Sequence, residues 1–204
     1  MHPGRRLMIC CPVGMALTVW TIGHSTRSLD EFLTLLTLNE IEKIADVRSF
    51  PGSRKYPHFG QEALAKALRE RGVEYEWFKG LGGRRRPDPD SPHTSWRNTS
   101  FRAYADYMQT PGFQESLREL MEQASKTRIA LMCAEAVWWR CHRSMVSDAL
   151  CVEGIRVLHI MDEQHETVHP MTGPARVVNG RLSYLPEDAE PEPAPAQLPL
   201  WGSR

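Results

Sequence analysis

The sequence lacks several features that would assign it to a functional class directly. Its 25 basic and 25 acidic side chains balance, so net charge does not mark it as a general binder of polyanions, and any such contact must be local. No apolar run approaches the roughly 18 residues typical of a membrane span, and we expect a soluble protein with no membrane contact. Neither GxGxxG nor Gly-Lys-Ser/Thr occurs, which excludes the most common phosphate-binding loops.

Cysteine is also scarce in the sequence. The five cysteines lack the dense spacing of a secreted disulfide scaffold, which predicts a protein of the reducing cytoplasm. At 204 residues the chain can bury a core without disulfides or metals. We expect a flexible leader over 1–16, one domain over 17–186 and a disordered tail over 187–204. The tail is acidic and rich in proline, and it cannot bury enough apolar area to fold.

Strand-like and helix-like segments alternate along the predicted domain. Apolar strands are predicted at 16–23, 41–50, 73–78, 128–132 and 155–160. Between them lie helical patterns, the first of which begins with a capping box formed by Ser28 and Glu31. This alternation predicts an α/β fold with a mainly parallel sheet and helices on both faces. Asn179-Gly180 between two strand-like runs predicts a C-terminal β-hairpin.

Candidate functional residues lie at the end of every predicted strand. They are His24 and Ser25 for the first strand; Asp46, Arg48, Ser53 and Arg54 for the second; Gly80, Gly82 and Gly83 for the third; Cys133, Glu135, Cys141, His142 and Arg143 for the fourth; and His159 and Asp162 for the fifth. Each has a structural alternative, such as a loop cap, an ion pair or a turn glycine. Because ligands of doubly wound sheets bind beyond the carboxyl ends of the strands, we expect these residues to line one crevice.

The segment CAEAVWWRCHR, which begins at Cys133, is compatible with three kinds of chemistry. Cys141 and His142 open a predicted helix, where the N-terminus and nearby cations would lower the pKa of the thiol and make it a nucleophile. A zinc site could use both cysteines and the histidine, but C-x7-C-H lacks the close pairs of structural zinc sites, and we expect no metal. Alternatively the cysteines only pack, and Glu135 exchanges protons with His24 or His142.

We favour the third reading, with a contribution from cysteine left open. The predicted catalytic residues are His24, Asp46, Glu135, Cys133 and Cys141. Guanidinium groups match the oxygens of phosphate, and the predicted anion-binding residues are Ser25, Arg48, Ser53, Arg54, His142 and Arg143. This set predicts a hydrolase or a transferase. The sequence identifies neither the bond that reacts nor a cofactor.

Four motifs in order carry a family resemblance. They are TIGHS (21–25), ADVRSFPGSRKYPHF (45–59), FRAYADYM (101–108) and the CAE…CHR segment. With them the chain resembles the domain-of-unknown-function family numbered 488 over about residues 18–185. The resemblance implies that the predicted catalytic and anion-binding residues, all except Ser25, occupy positions that define the family. It implies no reaction, because the family is defined without one.

The pentapeptide QLPLW near the end of the tail points to a partner. Gln197, Leu198, Leu200 and Trp201 resemble the short motif by which bacterial replication and repair proteins dock on the sliding clamp. Exposed apolar groups invite association, although the tail could instead fold back onto its own domain. Docking would make DNA, or a nucleotide in it, the substrate, and would link the enzyme to DNA repair or replication. The alternatives are an enzyme acting on a phosphorylated metabolite and a non-catalytic nucleic-acid-binding protein.

Overall fold

The computed structural model describes residues 17–189 and contains five helices and eight strands in that range. The helices are α1 (Leu29–Leu38), α2 (Gln61–Glu70), α3 (Thr99–Met108), α4 (Pro111–Ala124) and α5 (Arg143–Val152). The strands are β1 (Thr18–Gly23), β2 (Lys43–Asp46), β3 (Glu74–Trp77), β4 (Ile129–Cys133), β5 (Arg156–Ile160), β6 (Glu166–Val168), β7 (Arg176–Val178) and β8 (Arg181–Ser183). Within 17–189, no helix has the length and apolar character to cross a membrane. The predicted leader and nearly all of the predicted tail lie outside the described residues.

The main sheet has six strands in the order β3-β2-β4-β1-β5-β6. Its first five strands are parallel, and β6 pairs antiparallel with β5. The predicted α/β fold with a mainly parallel sheet is therefore confirmed. Strand β6 was not predicted, because its three residues are all exposed and show no apolar alternation.

Helices cover both faces of the sheet, as predicted. One core contains α1 and α2 side chains such as Phe32 and Leu64 packed on Ile44. The other contains α3, α4 and α5 side chains such as Tyr104 packed on Leu131. The chain thus leaves β1 towards one face and leaves the adjacent β4 towards the other. The carboxyl ends of β1 and β4 form the switch point at which such sheets bind ligands.

Local sequence signals fixed several boundaries correctly. Helix α1 starts with the predicted capping box, in which the backbone N–H of Glu31 donates to Ser28 and the Glu31 carboxylate accepts from the Ser28 backbone N–H. The predicted hairpin is the pair β7 and β8. Its turn residues Asn179 and Gly180 both have positive φ, at 51° and 76°, which is the conformation that an Asn-Gly turn provides.

Candidate active site

The loop after β4 runs beside the end of β1. The backbone N–H of His24 donates to the carbonyl of Cys133 (3.0 Å), and that of Ser25 donates to the carbonyl of Ala134 (2.9 Å). A Cβ atom on Gly23 would lie 1.9 Å from the Glu135 carbonyl oxygen. The glycine of TIGHS is therefore required for the close approach of this loop. The ends of β1 and β4 therefore lie side by side, and the prediction that all five strand ends line one crevice stays a prediction.

Cys133, Cys141 and His142 form what we call the thiol cluster. One donor atom from each lies within 4.8 Å of the others. The Cys141 sulfur is 3.6 Å from His142 Nδ1 and accepts a hydrogen bond from Arg143 Nε at 3.4 Å. Both cysteines are buried and free of disulfide bonds. The cluster sits at the end of β4 and just before α5, so rigid elements hold its parts.

The two thiols differ in acidity. The hydrogen bond that Cys133 makes to Cys141, together with burial, raises the pKa of the Cys133 thiol well above its usual value. Burial opposes ionisation of Cys141 as well. However, the hydrogen bond from Cys133 and the neighbouring His142 and Arg143 outweigh burial and hold the pKa of Cys141 well below its usual value.

Arg143 holds the β4 loop in place. Its buried guanidinium donates to the Glu135 carbonyl (2.6 Å), the Ala136 carbonyl (3.4 Å) and the Thr21 hydroxyl (3.4 Å), besides the Cys141 sulfur. These contacts show a positioning role for Arg143. Anion binding by this side chain stays a prediction, and it would require a ligand to displace protein acceptors.

Arg48 is engaged in a similar way. It donates to both carboxylate oxygens of Asp46 and to the Phe59 carbonyl. Asp46 is itself buried and also accepts a hydrogen bond from the Tyr75 hydroxyl. His24 donates from Nδ1 to the Ser25 carbonyl, which leaves Nε2 to accept from Arg48 (3.4 Å). Burial, reinforced by the charge of Arg48, lowers the pKa of His24 to about 4. His24 is therefore neutral near pH 7.

The glycine loop after β3 packs on the thiol cluster. His142 Nε2 donates to the Val47 carbonyl at 3.0 Å, and its Nδ1 faces the Cys141 sulfur at 3.6 Å. A Cβ atom on Gly83 would lie 2.3 Å from this Nδ1, and one on Gly80 would lie 1.9 Å from the Ser116 hydroxyl. These glycines allow close packing, which agrees with the structural alternative that they serve as turn glycines.

The remaining predicted residues lie nearer the surface. Ser53 accepts a hydrogen bond from the backbone N–H of Tyr56 and so caps a turn. Arg54 and the side chain of Glu135 are exposed. The same edge carries two aromatic residues with large exposed fractions, Phe50 at 70% and Trp139 at 51%.

A buried chain of hydrogen bonds behind the cluster was not predicted. Thr21 contacts His159 Nδ1 (2.7 Å), His159 Nε2 contacts His169 Nδ1 (2.9 Å), and His169 Nε2 contacts Asp148 (2.9 Å). With the Asp148 carboxylate as the final acceptor, every hydrogen bond runs in one direction. Arg143 donates to Thr21, Thr21 to His159, His159 to His169, and His169 to Asp148. Burial, then the charges of His169 and Arg143, depress the pKa of His159 far below its usual value. The signal in the sequence was Asp148, which is the one acidic residue of α5.

A family model described as "Domain of unknown function DUF488" matches residues 28–150 of the chain. The match includes the thiol cluster, the Asp46 and Arg48 pair and the exposed aromatic residues, while His24 and Ser25 precede it. No curated protein and no solved structure matches the chain.

Proposed function

The chain belongs to the family described as domain of unknown function DUF488, and we propose that this member is a cytoplasmic hydrolase or transferase that acts on DNA or on a nucleotide. One observation carries the proposal. The thiol cluster lies at the switch point of the sheet, and the loops that hold it also carry exposed aromatic and basic side chains. Reactive groups thus lie beside side chains suited to nucleic acid.

The exposed side chains form what we call the rim: Phe50 after β2, Arg84 after β3, and Trp139 and Arg140 after β4. All four are exposed, and the Arg84 guanidinium lies 5.7 Å from the centre of the Phe50 ring. Bases of single-stranded nucleic acid stack on aromatic rings, while arginines contact the phosphates. Large exposed aromatic residues otherwise lower solubility and invite association. The rim supports nucleic acid as the ligand.

The candidates for proton transfer differ in their access to a ligand. The Glu135 backbone is fixed by Arg143, whereas its side chain is exposed at the same edge. Asp46 and His24 are buried and bonded to Arg48. We therefore assign acid-base work to Glu135, and of the two thiols Cys141, whose pKa is lowered, is the candidate for the contribution of cysteine that the sequence left open.

Binding of a fluorescently labelled single-stranded oligonucleotide, followed by anisotropy over a series of salt concentrations, tests the ligand class. We expect the logarithm of the affinity to fall linearly with the logarithm of salt concentration, by about 0.7 for each phosphate contacted. An enzyme specific for a small phosphorylated metabolite would show no such binding even at low salt. That result would contradict the proposal.

Glu135→Gln separates an enzyme from a non-catalytic binder. The substitution keeps the shape of the side chain and removes its acid-base function. We expect it to leave oligonucleotide affinity unchanged and to abolish turnover of any nucleic-acid substrate. A wild-type protein that binds but never turns over a panel of single-stranded, double-stranded and nucleotide substrates would favour the binding module.

We also propose that QLPLW docks on a bacterial sliding clamp, which would place the enzyme in DNA repair or replication. The motif lies outside the described residues, so the support is its sequence alone. Two buried apolar anchors on a short segment are typical of micromolar binding. By calorimetry, a QLPLW peptide should bind the clamp, and the peptide with both Leu200→Ala and Trp201→Ala should not. Equal heats from both peptides would contradict docking.

A further inference from the structure

We propose that the thiol cluster binds a divalent ion of the zinc class through Cys133 Sγ, Cys141 Sγ and His142 Nδ1, and that it leaves a fourth coordination position open. The proposal adds a cofactor to the same cluster as the proposed function. Because metal binding is measured without a substrate, either proposal can fail while the other stands.

The 3.6 Å separation of two of the donor atoms suits a tetrahedral ion. Zinc bonds of about 2.3 Å to sulfur and about 2.0 Å to nitrogen place neighbouring donors roughly 3.3–3.8 Å apart. Cys141 Sγ and His142 Nδ1 are 3.6 Å apart, and all three donors lie within 4.8 Å of one another. Sulfur and imidazole donors select zinc over magnesium or calcium.

The surroundings of the ligands also suit a metal. A histidine that binds zinc commonly donates its other ring N–H to a carbonyl or carboxylate, which fixes the tautomer. His142 does this through Nε2 and the Val47 carbonyl. Arg143 Nε donates to the Cys141 sulfur, a contact that a metal-bound thiolate also accepts. Both interactions orient the donors before an ion arrives.

Charge balance is a third argument. Two thiolates and a neutral imidazole cancel the double charge of the ion, so the filled cluster adds no net charge to a buried location. Uncompensated buried charge is costly, and pairing removes most of that cost. The neighbouring Arg143 already has carbonyl and hydroxyl partners.

The ligand count indicates a reactive ion. Among residues 17–189, no fourth histidine, cysteine or carboxylate joins this group. Structural zinc sites use four protein ligands, whereas catalytic sites use three and keep a position for water or substrate. The expectation of no metal rested on the seven residues between the cysteines. The loop and the 3₁₀ turn over Trp138–Arg140 bring them together, which spacing did not reveal.

Metal analysis of the purified full chain tests the site. After purification in reducing buffer without added metal, mass spectrometry should find about one zinc per chain. The protein stripped by a chelator should regain one equivalent, and Co²⁺ should give the absorption of thiolate-to-metal charge transfer. This spectrum identifies sulfur ligands in the wild-type protein without relying on any variant.

Cys133→Ser and Cys141→Ser should each weaken zinc binding by more than about 100-fold. Replacing even a residue that only hydrogen-bonds to a metal ligand typically weakens metal binding about 10–100-fold. Cys151→Ala is the matched control, since Cys151 is also buried but is not part of the cluster, and it should retain wild-type affinity. The proposal is overturned if the wild type binds less than stoichiometric zinc, if Co²⁺ shows no charge-transfer band, or if the Cys141 variant binds as tightly as the control.

Discussion

Replacing Asp148 with alanine should lower the free energy of unfolding by about 3–5 kcal/mol, the cost of breaking a buried charged network. The carboxylate accepts from His169 Nε2 (2.9 Å), the Thr172 backbone N–H (2.8 Å), the Thr172 hydroxyl (2.6 Å) and the Tyr184 hydroxyl (2.7 Å). Alanine would leave the buried His169 and Tyr184 donors without an acceptor, and each unsatisfied buried donor costs about 1–3 kcal/mol. Urea unfolding followed by circular dichroism measures the loss.

Two variants make the stability measurement specific. Asp148→Asn keeps one acceptor oxygen and should lose less stability than Asp148→Ala. Glu122→Ala removes an exposed ion pair with Lys126, and exposed pairs contribute little, so its urea midpoint should stay close to wild type. An Asp148→Ala midpoint equal to that of Glu122→Ala would contradict the described network.

Removing both rim aromatics, with Phe50→Ala and Trp139→Ala together, should weaken binding of single-stranded DNA by about 30-fold or more. Base stacking on an aromatic side chain contributes about 1–3 kcal/mol per base, and the two rings lie on separate loops. Both side chains are largely exposed, so we expect the melting temperature to change little. Fluorescence anisotropy at one fixed salt concentration measures the loss.

Val177→Ala is the matched control for the rim. Val177 is exposed to the same extent as Trp139, at 51%, but it lies on the β7–β8 hairpin. We expect this variant to bind DNA with wild-type affinity. If the rim variant and the Val177 variant bind equally well, the exposed aromatics have another role and the nucleic-acid proposal loses its main support.

Much of the fold could be predicted because its signals are local. The Ser28 capping box, the Asn179-Gly180 turn and the alternation of apolar strands with helical patterns depend on residues close in sequence. Strand order depends on long-range packing, and no local pattern gave the position of β4 between β2 and β1. The edge strand β6 has an entirely exposed pattern.

Of the candidate site, the sequence could indicate which strand ends meet but not which groups the side chains contact. Parallel topology brings strand ends together, so the proximity of His24, Cys133 and Glu135 could be expected. The acceptors of a guanidinium cannot be read from sequence. Arg48 and Arg143 were predicted to hold phosphate, which stays a prediction, and in the structure both guanidinium groups are bonded to protein acceptors. The histidine chain joins residues as far apart as Thr21 and His159, which local patterns do not connect.

We propose that nucleic acid binds at the edge of the sheet that carries the thiol cluster. Photo-crosslinking of the full chain to a single-stranded oligonucleotide with a photoreactive base, followed by mass spectrometry of the peptides, tests it most directly. We predict crosslinks within residues 48–54, 83–86 and 134–140, and their loss in the rim variant. Crosslinks confined to the β7–β8 hairpin or to the outer surfaces of α1 and α2 would contradict binding at this edge.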